Sequence, residues 1–217
     1  MILANTLRKN RTYLHAHLDE EIDPRRFDIA NARLDLRLDR VPIAYILGYK
    51  EFYGRKFTVS PSVLIPRPES EDLISLFLEL TASEIAEKVL IDVGAGSGCL
   101  GITAKLERSN LSVILSDISK PALNIAEKNA NALNADVYIQ QQSLLNGQLR
   151  PVDYIFANLP YVDKNLGCVA RTSIRARYCA FCRRRRAEID IAIDLASTTM
   201  SHSRRIVIYR GRSSTAQ

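Results

Sequence analysis

A glycine-rich turn is the first segment of this chain whose residue types fit a chemical task. It reads Gly94-Ala95-Gly96-Ser97-Gly98 and comes soon after the apolar run Val89-Leu90-Ile91. A turn of this kind lets the backbone approach a ligand closely and directs N–H groups toward it. Asp117 follows about 20 residues on, at the end of the next apolar run. A carboxylate there can accept hydrogen bonds from both ribose hydroxyls of a nucleoside. Loop and acid together predict a nucleoside-cofactor site.

This pattern leaves other interpretations open. Residues 96–101 also fit the dinucleotide fingerprint G-x-G-x-x-G, so a nicotinamide-dependent enzyme competes, and a purely structural turn needs glycine as well. Asp117 can instead be a helix-capping acid before Pro121. Asp92, just before the loop, either faces the ammonium of a methionine moiety, directly or through water, or is a solvated strand end.

The second chemical segment is Asn158-Leu159-Pro160-Tyr161, which follows the apolar run 154–157. The side-chain oxygen of Asn158 and a nearby main-chain carbonyl can each accept one proton of an –NH2 group, which orients the nitrogen lone pair. Pro160 stiffens the turn, and Tyr161 offers a flat face to a planar amide or base. Asn and Pro are also ordinary turn residues. Together with a nucleoside loop on the same sheet edge, however, the segment predicts methyl transfer from S-adenosylmethionine to nitrogen.

Strand and helix patterns alternate around these two segments. This alternation predicts an α/β fold with a parallel sheet and helices on both faces. The predicted strands are 89–91, 113–115, 137–139 and 154–156, and the predicted helices are 98–107 and 121–133. Ligands bind at the carboxyl ends of such strands, so this fold brings the glycine loop and Asn158 to one edge.

A smaller helical region and a hairpin precede the predicted sheet. Asp23-Pro24 is a helix start, because it combines an N-cap acid with proline at the first helical position. One apolar helix face is then predicted from residues spaced three and four apart, namely Phe27, Ala30, Leu34, Leu38 and Val41. The other predictions are a helix over 11–21, a hairpin over 51–59 and a helix from its cap Ser70 to about residue 82.

Composition describes a globular chain with an unusual tail. Of 217 residues, 47% are hydrophobic and 25% charged, and no apolar run is long enough to cross a membrane. The first ten residues carry no secretory signal pattern, so we expect a cytoplasmic protein. The net charge of +6 is uneven: residues 1–170 sum to −2, whereas residues 171–217 hold 11 arginines, no lysine and three acids, a charge of +8.

Three interpretations of the tail compete. The four arginines at 183–186 fit a nucleic-acid-binding extension, and Cys179 and Cys182 form a single C-x-x-C pair, which is poor evidence for zinc or redox chemistry. The third interpretation is a shift of reading frame near codon 167, which the simultaneous enrichment of Arg and Cys and the absence of Lys favour. In that case the sheet is incomplete, and the strand at 154–156 becomes an exposed edge.

Two further segments give the chain a family resemblance. Residues 41–54 (VPIAYILGYKEFYG) look like a linker hairpin, and residues 63–71 (VLIPRPESE) look like a signature loop. With the glycine loop and the Asn158 segment at suitable positions, residues from about 11 to 162 resemble the peptide chain release factor N5-glutamine methyltransferases. The resemblance is specific, because methyltransferases in general share neither the hairpin nor the Pro-Arg-Pro-Glu loop.

The resemblance implies a fold, a reaction and site residues. Members of this family carry a Rossmann-like sheet and use S-adenosylmethionine to methylate the glutamine of a Gly-Gly-Gln motif in release factors. By motif match, residues 94–98 contact the donor, Asp117 its ribose and Leu144 its adenine, while Asn158, also beside the donor, and residues 159–161 contact the glutamine amide. No metal and no membrane contact is implied. We expect a monomer whose main partner is a release factor rather than nucleic acid.

The implied organisation has four parts. They are a helical substrate-docking region (1–48), a hairpin and proline-rich linker (49–69), a Rossmann-like methyltransferase domain (70–166) and the atypical tail (167–217). Two site positions depart from the family pattern, because Leu159 stands where proline is usual and Ser143 where aspartate is frequent. An N6-adenine methyltransferase of nucleic acid, whose target –NH2 suits the same tetrapeptide, stays an alternative, as does an inactive truncated relic.

Overall fold

The structure is a computed structural model that describes residues 1–146 and 152–158 and, for the backbone alone, residues 206–209. The helices are α1 (Ile2–Leu7), α2 (Arg11–Ala16), α3 (Pro24–Leu38), α4 (Ile43–Leu47), α5 (Glu71–Leu80), α6 (Cys99–Glu107) and α7 (Lys120–Ala132). The strands are β1 (Tyr49–Phe52), β2 (Arg55–Thr58), β3 (Lys88–Val93), β4 (Leu111–Asp117), β5 (Tyr138–Gln141), β6 (Tyr154–Ala157) and β7 (Ile206–Tyr209). A single 3-10 turn, Pro68–Ser70, leads into α5.

A parallel sheet with strand order β5-β4-β3-β6-β7 forms the body of the described chain. The chain first moves outward from β3 through β4 to β5, and then returns to the other side of β3 as β6. The order of the strands therefore reverses between β3 and β6. In sheets of this kind the ligand site lies at that reversal, beyond the carboxyl ends of the strands. The prediction of a Rossmann-like α/β fold is confirmed.

Two apolar clusters cover the two faces of the sheet. Side chains alternate between the faces along each strand, so Leu90 and Leu115 lie in one cluster while Ile91 and Ile114 lie in the other. The larger cluster also contains apolar residues of α5, α6 and α7. Within it, the ring of Phe77 meets Phe156 edge to face, with centroids 5.1 Å apart. Helices α5, α6 and α7 are thereby fixed against the strands that carry the two motifs.

The N-terminal helices agree with the sequence only in part. Helix α3 begins as predicted, with Pro24 at its first position and the Asp23 side chain accepting a hydrogen bond from the N–H of Arg26 at 3.1 Å. Its predicted apolar face is not a core face, because only Ala30 is buried, while Phe27 and Leu38 are 52% and 79% exposed. Helix α3 packs against short α1 and α4, which cover a narrow strip of it. Helix α1 was not predicted, and α2 is shorter than expected.

The hairpin of β1 and β2 joins these helices to the sheet. It is antiparallel and turns at Tyr53 and Gly54, whose φ angles of 49° and 72° fit the tight two-residue turn that right-twisted strands favour. The hairpin starts two residues earlier than predicted. The prediction that Ser70 caps the following helix is wrong, because its side chain makes no capping bond and lies in the 3-10 turn.

The edge predicted at residues 154–156 is not open. Strand β7 pairs with β6 in parallel, with Tyr154 opposite Ile206 and Ala157 opposite Tyr209. The prediction of an exposed edge is therefore wrong, because the strand pattern at 206–209 supplies a partner from within the tail. The arginines at 183–186 and the cysteines Cys179 and Cys182 lie outside the described residues. No helix in the described ranges is long and apolar enough to cross a membrane.

Candidate functional site

The two sequence motifs meet at one edge of the sheet. In the register of β3 with its neighbours, Val93 lies opposite Ser116 on one side and Ala157 on the other. The glycine loop follows Val93, Asp117 follows Ser116, and Asn158 follows Ala157. The predicted cofactor loop, ribose acid and amide-binding residue thus lie at three adjacent strand ends, with Asp117 as the last residue of β4. The reversal of strand order lies between β3 and β6, at this edge.

The glycine loop is held by its own N–H groups. Those of Gly94 and Ala95 both donate to the carbonyl of Ser116, at 2.8 and 3.0 Å, and that of Gly98 donates to Ala95 at 2.8 Å. The N–H of Gly96 donates to Asp117. The expectation that the loop directs free N–H groups toward a ligand is therefore wrong for these residues. The loop offers close backbone approach and shape, which suits a nucleoside better than the pyrophosphate of a dinucleotide.

Glycine is required at two loop positions for different reasons. Gly96 has a φ of 58°, and a Cβ built on it would meet, among the described residues, only the carbonyl oxygen of Gly94 within 4 Å, at 4.0 Å, so these residues leave space open above it. Gly98 has a φ of 77° and lies against packed atoms, because an added Cβ would lie 2.8 Å from Ile102 and 3.2 Å from the Cβ of Ala126. The loop is thus open toward a ligand at Gly96 and closed against the helices at Gly98.

Asp117 joins the end of β4 to the glycine loop. Its Oδ2 accepts the N–H of Gly96 at 3.0 Å, and its Oδ1 accepts the N–H of Ser119 at 2.9 Å. An ionised carboxylate has about four acceptor positions, so two remain for ribose hydroxyls. The alternative helix-cap role falls to Ser119, whose hydroxyl accepts the N–H of Ala122 at 3.3 Å. Asp117 therefore positions the loop and keeps acceptor capacity for a ligand.

Asp92 is fully buried beneath the same loop. Its Oδ2 accepts the N–H of Gly101 at 2.9 Å, which α6 permits because Gly101 packs without a side chain against Asp92 and Leu115. Burial raises the pKa of Asp92 to about 7, the Gly101 N–H lowers it, and the charge of Asp117 raises it. The solvated strand end is excluded. This carboxyl, buried beneath the glycine loop, therefore holds a proton more tightly than an exposed aspartate does.

Asn158 contacts the 3-10 turn that precedes α5. Its Nδ2 group donates to the hydroxyl oxygen of buried Ser70 at 3.5 Å. This contact directs the amide nitrogen toward Ser70 and leaves Oδ1 as an acceptor for a hydrogen bond from a bound –NH2 group. Leu159, Pro160 and Tyr161 lie outside the described residues. Leu144, the predicted adenine contact, is half-buried in a positive-φ turn (54°) and packs on the second apolar cluster.

The sequence did not predict two residues of the site. Asn129 of α7 is buried and bonded to the glycine loop. The N–H of Gln142 donates to the carbonyl of Asp117 at 3.1 Å, while its buried side chain has no partner among the described residues. The signal for Asn129 is a polar residue at helical spacing from the buried residues Ala126 and Ala130. Nothing in the local pattern singles out Gln142.

Comparison with known proteins identifies the family. A family model described as the PrmC N-terminal domain matches residues 1–48, and one described as the methyltransferase small domain matches residues 71–175. The release factor glutamine methyltransferase of Koribacter versatilis is 43% identical over 169 residues, which cover 76% of this chain and 59% of the relative. The chain belongs to the release factor glutamine methyltransferase family. The corresponding Bacillus cereus enzyme is 37% identical over 171 residues, 76% of this chain and 60% of that one.

Membership in this family confirms the resemblance and the methyltransferase fold, and it disfavours a nicotinamide enzyme. A further family member, from Neisseria gonorrhoeae, is 45% identical over 131 residues, 58% of this chain and 46% of that relative. The chain spans about 60% of the length of the first two relatives. Among solved structures, a ribosomal protein L11 methylase from Lactobacillus delbrueckii is 23% identical with a TM-score of 0.46, covering 73% of this chain and 70% of that one.

Proposed function

We propose that this chain transfers a methyl group from S-adenosylmethionine to the side-chain amide of the glutamine in the Gly-Gly-Gln motif of a release factor. The observation that carries the proposal is the register of β3 and β6, which sets the glycine loop and Asn158 side by side at adjacent strand ends. A donor held by the loop and an amide held by Asn158 would be neighbours. Family membership supports the identity proposed for both ligands.

The donor site is the glycine loop with Asp117. The open space at Gly96 admits a ligand, and the remaining acceptor positions of Asp117 suit the two ribose hydroxyls. We assign the adenine contact to Leu144, and the loop from Gly94 to Gly98 to the remainder of the donor. S-adenosylmethionine supplies an activated methyl group, so the protein contributes binding, orientation and exclusion of water. Nothing in this assignment requires a metal.

The acceptor site is Asn158 with the residues that follow it. The Oδ1 atom of Asn158 and the carbonyl of Leu159 would each accept a hydrogen bond from the glutamine –NH2 group, turning the nitrogen lone pair toward the donor. Pro160 would restrict the turn and Tyr161 would stack on the planar amide. The new bond forms between nitrogen and the methyl carbon while the carbon–sulfur bond breaks, and the amide proton leaves to water. Placement of this kind is worth about 7–11 kcal/mol in favourable cases.

The helical region would dock the release factor. Exposed apolar side chains on α3, including Phe27, Leu34 and Leu38, form a face that the described chain does not cover. We assign docking to residues 1–48, linkage to 49–69 and catalysis to 70–166, and we expect the protein to act as a cytoplasmic monomer. The acidic balance of residues 1–170 speaks against nucleic acid as the main substrate.

Methylation of a purified bacterial release factor tests the proposal. Incubation with the chain and S-adenosylmethionine should add one methyl group to the Gly-Gly-Gln peptide, detected by mass spectrometry after proteolysis. A release factor with this glutamine replaced by alanine is the matched control and should stay unmodified. Methylation of duplex DNA or RNA in place of the release factor, or no transfer from donor that is demonstrably bound, would refute the proposed acceptor.

A further inference from the structure

Asn129 uses its whole carboxamide to join two distant segments of the chain. Its Nδ2 group donates to the carbonyl of Ser97 at 2.9 Å and to the carbonyl of Thr58 at 3.0 Å. Its Oδ1 accepts the N–H of Thr58 at 2.7 Å. The side chain is buried, with 1% of its surface exposed. Every partner is a backbone group, so these bonds act on chain geometry whatever side chains stand at 58 and 97.

One of the joined segments belongs to the proposed donor site, and the other belongs to the linker of the proposed docking region. Ser97 lies in the glycine loop, and Thr58 is the last residue of β2, in the hairpin that links the helical region to the sheet. Helix α7 stands between them. Ala126, one turn before Asn129 on the same helix, would lie 3.2 Å from a Cβ at Gly98. This face of α7 therefore packs beneath the glycine loop, and Asn129 is a polar residue on that face.

The Ser97 bond fixes the carbonyl of the peptide that joins Ser97 to Gly98. The N–H of the same peptide donates to the carbonyl of Ala95, so the bond from Asn129 completes the pairing of its polar groups. With the Asn129 donor present, that carbonyl is turned toward α7. Without it, a buried carbonyl would lose its partner, which costs free energy and drives the peptide to seek another orientation.

We propose that Asn129 is a positioning residue for methyl-donor binding and that it couples the donor loop to the hairpin of β1 and β2. The inference rests on the proposed function, because it takes the loop to be the donor site. Binding of S-adenosylmethionine, by ordering the loop, then steadies the hairpin and the helical region beside it. Loss of Asn129 weakens donor binding and uncouples the two segments.

The test compares Asn129→Ala with two control variants of the same helix. Ala130→Gly weakens α7 at a buried position that makes no bond to the loop, and Asn131→Ala removes an exposed carboxamide. For each, calorimetry gives the Kd for S-adenosylmethionine, thermal unfolding gives Tm, and hydrogen exchange follows residues 49–58 with and without the donor. We expect Asn129→Ala to raise Kd about tenfold, the loss of roughly one buried hydrogen bond. Ala130→Gly should lower Tm with Kd unchanged, and Asn131→Ala should change neither.

Hydrogen exchange separates positioning from a merely structural role. In the wild-type chain the donor should slow exchange over 49–58, and in Asn129→Ala this donor-dependent protection should disappear. Equal Kd values for wild type and Asn129→Ala would overturn the inference while leaving the proposed function intact. If Asn129→Ala does not fold, donor-dependent protection of the wild-type hairpin supports the coupling, and its absence refutes it. Wild-type protein that is folded and does not bind the donor would refute both proposals.

Discussion

The Oδ2 atom of Asp117 accepts the N–H of Gly96 at 3.0 Å, across 21 residues of chain. The acid proposed to bind ribose thus also shapes the loop proposed to bind the rest of the donor. Because the carboxylate ends β4 while the loop follows β3, the parallel pairing of the two strands sets this contact. A change at Asp117 should therefore act on donor affinity in two ways, through a lost ligand contact and through a displaced loop.

Asp117→Asn should weaken binding of S-adenosylmethionine roughly tenfold to a hundredfold, the range expected for hydrogen bonds to a charged group. Both carboxylate oxygens accept N–H groups, so an amide at this position must turn its own –NH2 toward one of them. Calorimetry measures the effect. Asp153→Asn is the matched control, because Asp153 also accepts two donors, from Lys88 and Val89, at the opposite end of the sheet. Equal donor affinity in the two variants would contradict the assignment.

The raised pKa of Asp92 predicts that the free energy of unfolding depends on pH. Burial raises the pKa of Asp92 in the folded protein to about 7 from the ordinary value of 3.8. The folded state therefore binds a proton more tightly than the unfolded state, so the contribution of Asp92 to stability is fully present below pH 3.8 and is lost as pH rises to about 7. A residue at position 92 that cannot ionise should not show this loss of stability.

Asp92→Asn keeps an acceptor for the N–H of Gly101 and does not ionise, so its advantage over wild type should grow from pH 5 to pH 8. We expect a difference on the order of 1–4 kcal/mol at pH 8, since one pKa unit corresponds to about 1.4 kcal/mol. Urea unfolding at both pH values measures it. A constant difference between variant and wild type across this range would show that Asp92 does not titrate there.

The sequence predicts those site residues whose positions follow directly from the ends of strands. Apolar runs followed by Gly94, Asp117 and Asn158 are local signals, and the rule that ligands bind at the carboxyl ends of parallel strands brings these residues together without knowledge of the tertiary structure. Strand β7 also has a local basis, because its sequence is three β-branched residues followed by tyrosine, types that favour strands.

What the sequence did not reveal depends on partners distant along the chain. Asn129 is one asparagine among several in α7. Its helical spacing places it on the buried face, but its role becomes visible only when β2 and the glycine loop supply its partners. The apolar face of α3 has helical spacing, but spacing alone does not say whether another element covers it, and Leu38 stays 79% exposed. Ser70 looked like a helix cap because capping is a local property, whereas its contact with Asn158 spans 88 residues.

Asn158→Ala should abolish most turnover while sparing the donor. The variant loses the oxygen proposed to accept a glutamine N–H proton, and misplacement of the reacting nitrogen should lower kcat roughly a hundredfold. Single-turnover methylation with saturating release factor measures this, and calorimetry should give an unchanged Kd for S-adenosylmethionine. A rate within twofold of wild type would remove Asn158 from the acceptor site. A rise in the Kd for S-adenosylmethionine as large as the fall in kcat would instead assign Asn158 to the donor site.

Ser70 should control the orientation of Asn158. The hydroxyl oxygen of Ser70 lies 3.5 Å from Nδ2 of Asn158, and an amide that loses this partner is free to present its –NH2 face, rather than Oδ1, to the substrate. Ser70→Ala should therefore lower kcat about three- to tenfold, the value of one neutral hydrogen bond. Donor affinity should not change, and Ser70→Thr should restore the rate. Ser75→Ala is the control, since that exposed hydroxyl donates to the carbonyl of Glu71, one turn earlier in α5. Unchanged kcat in Ser70→Ala would mean that other contacts orient the amide.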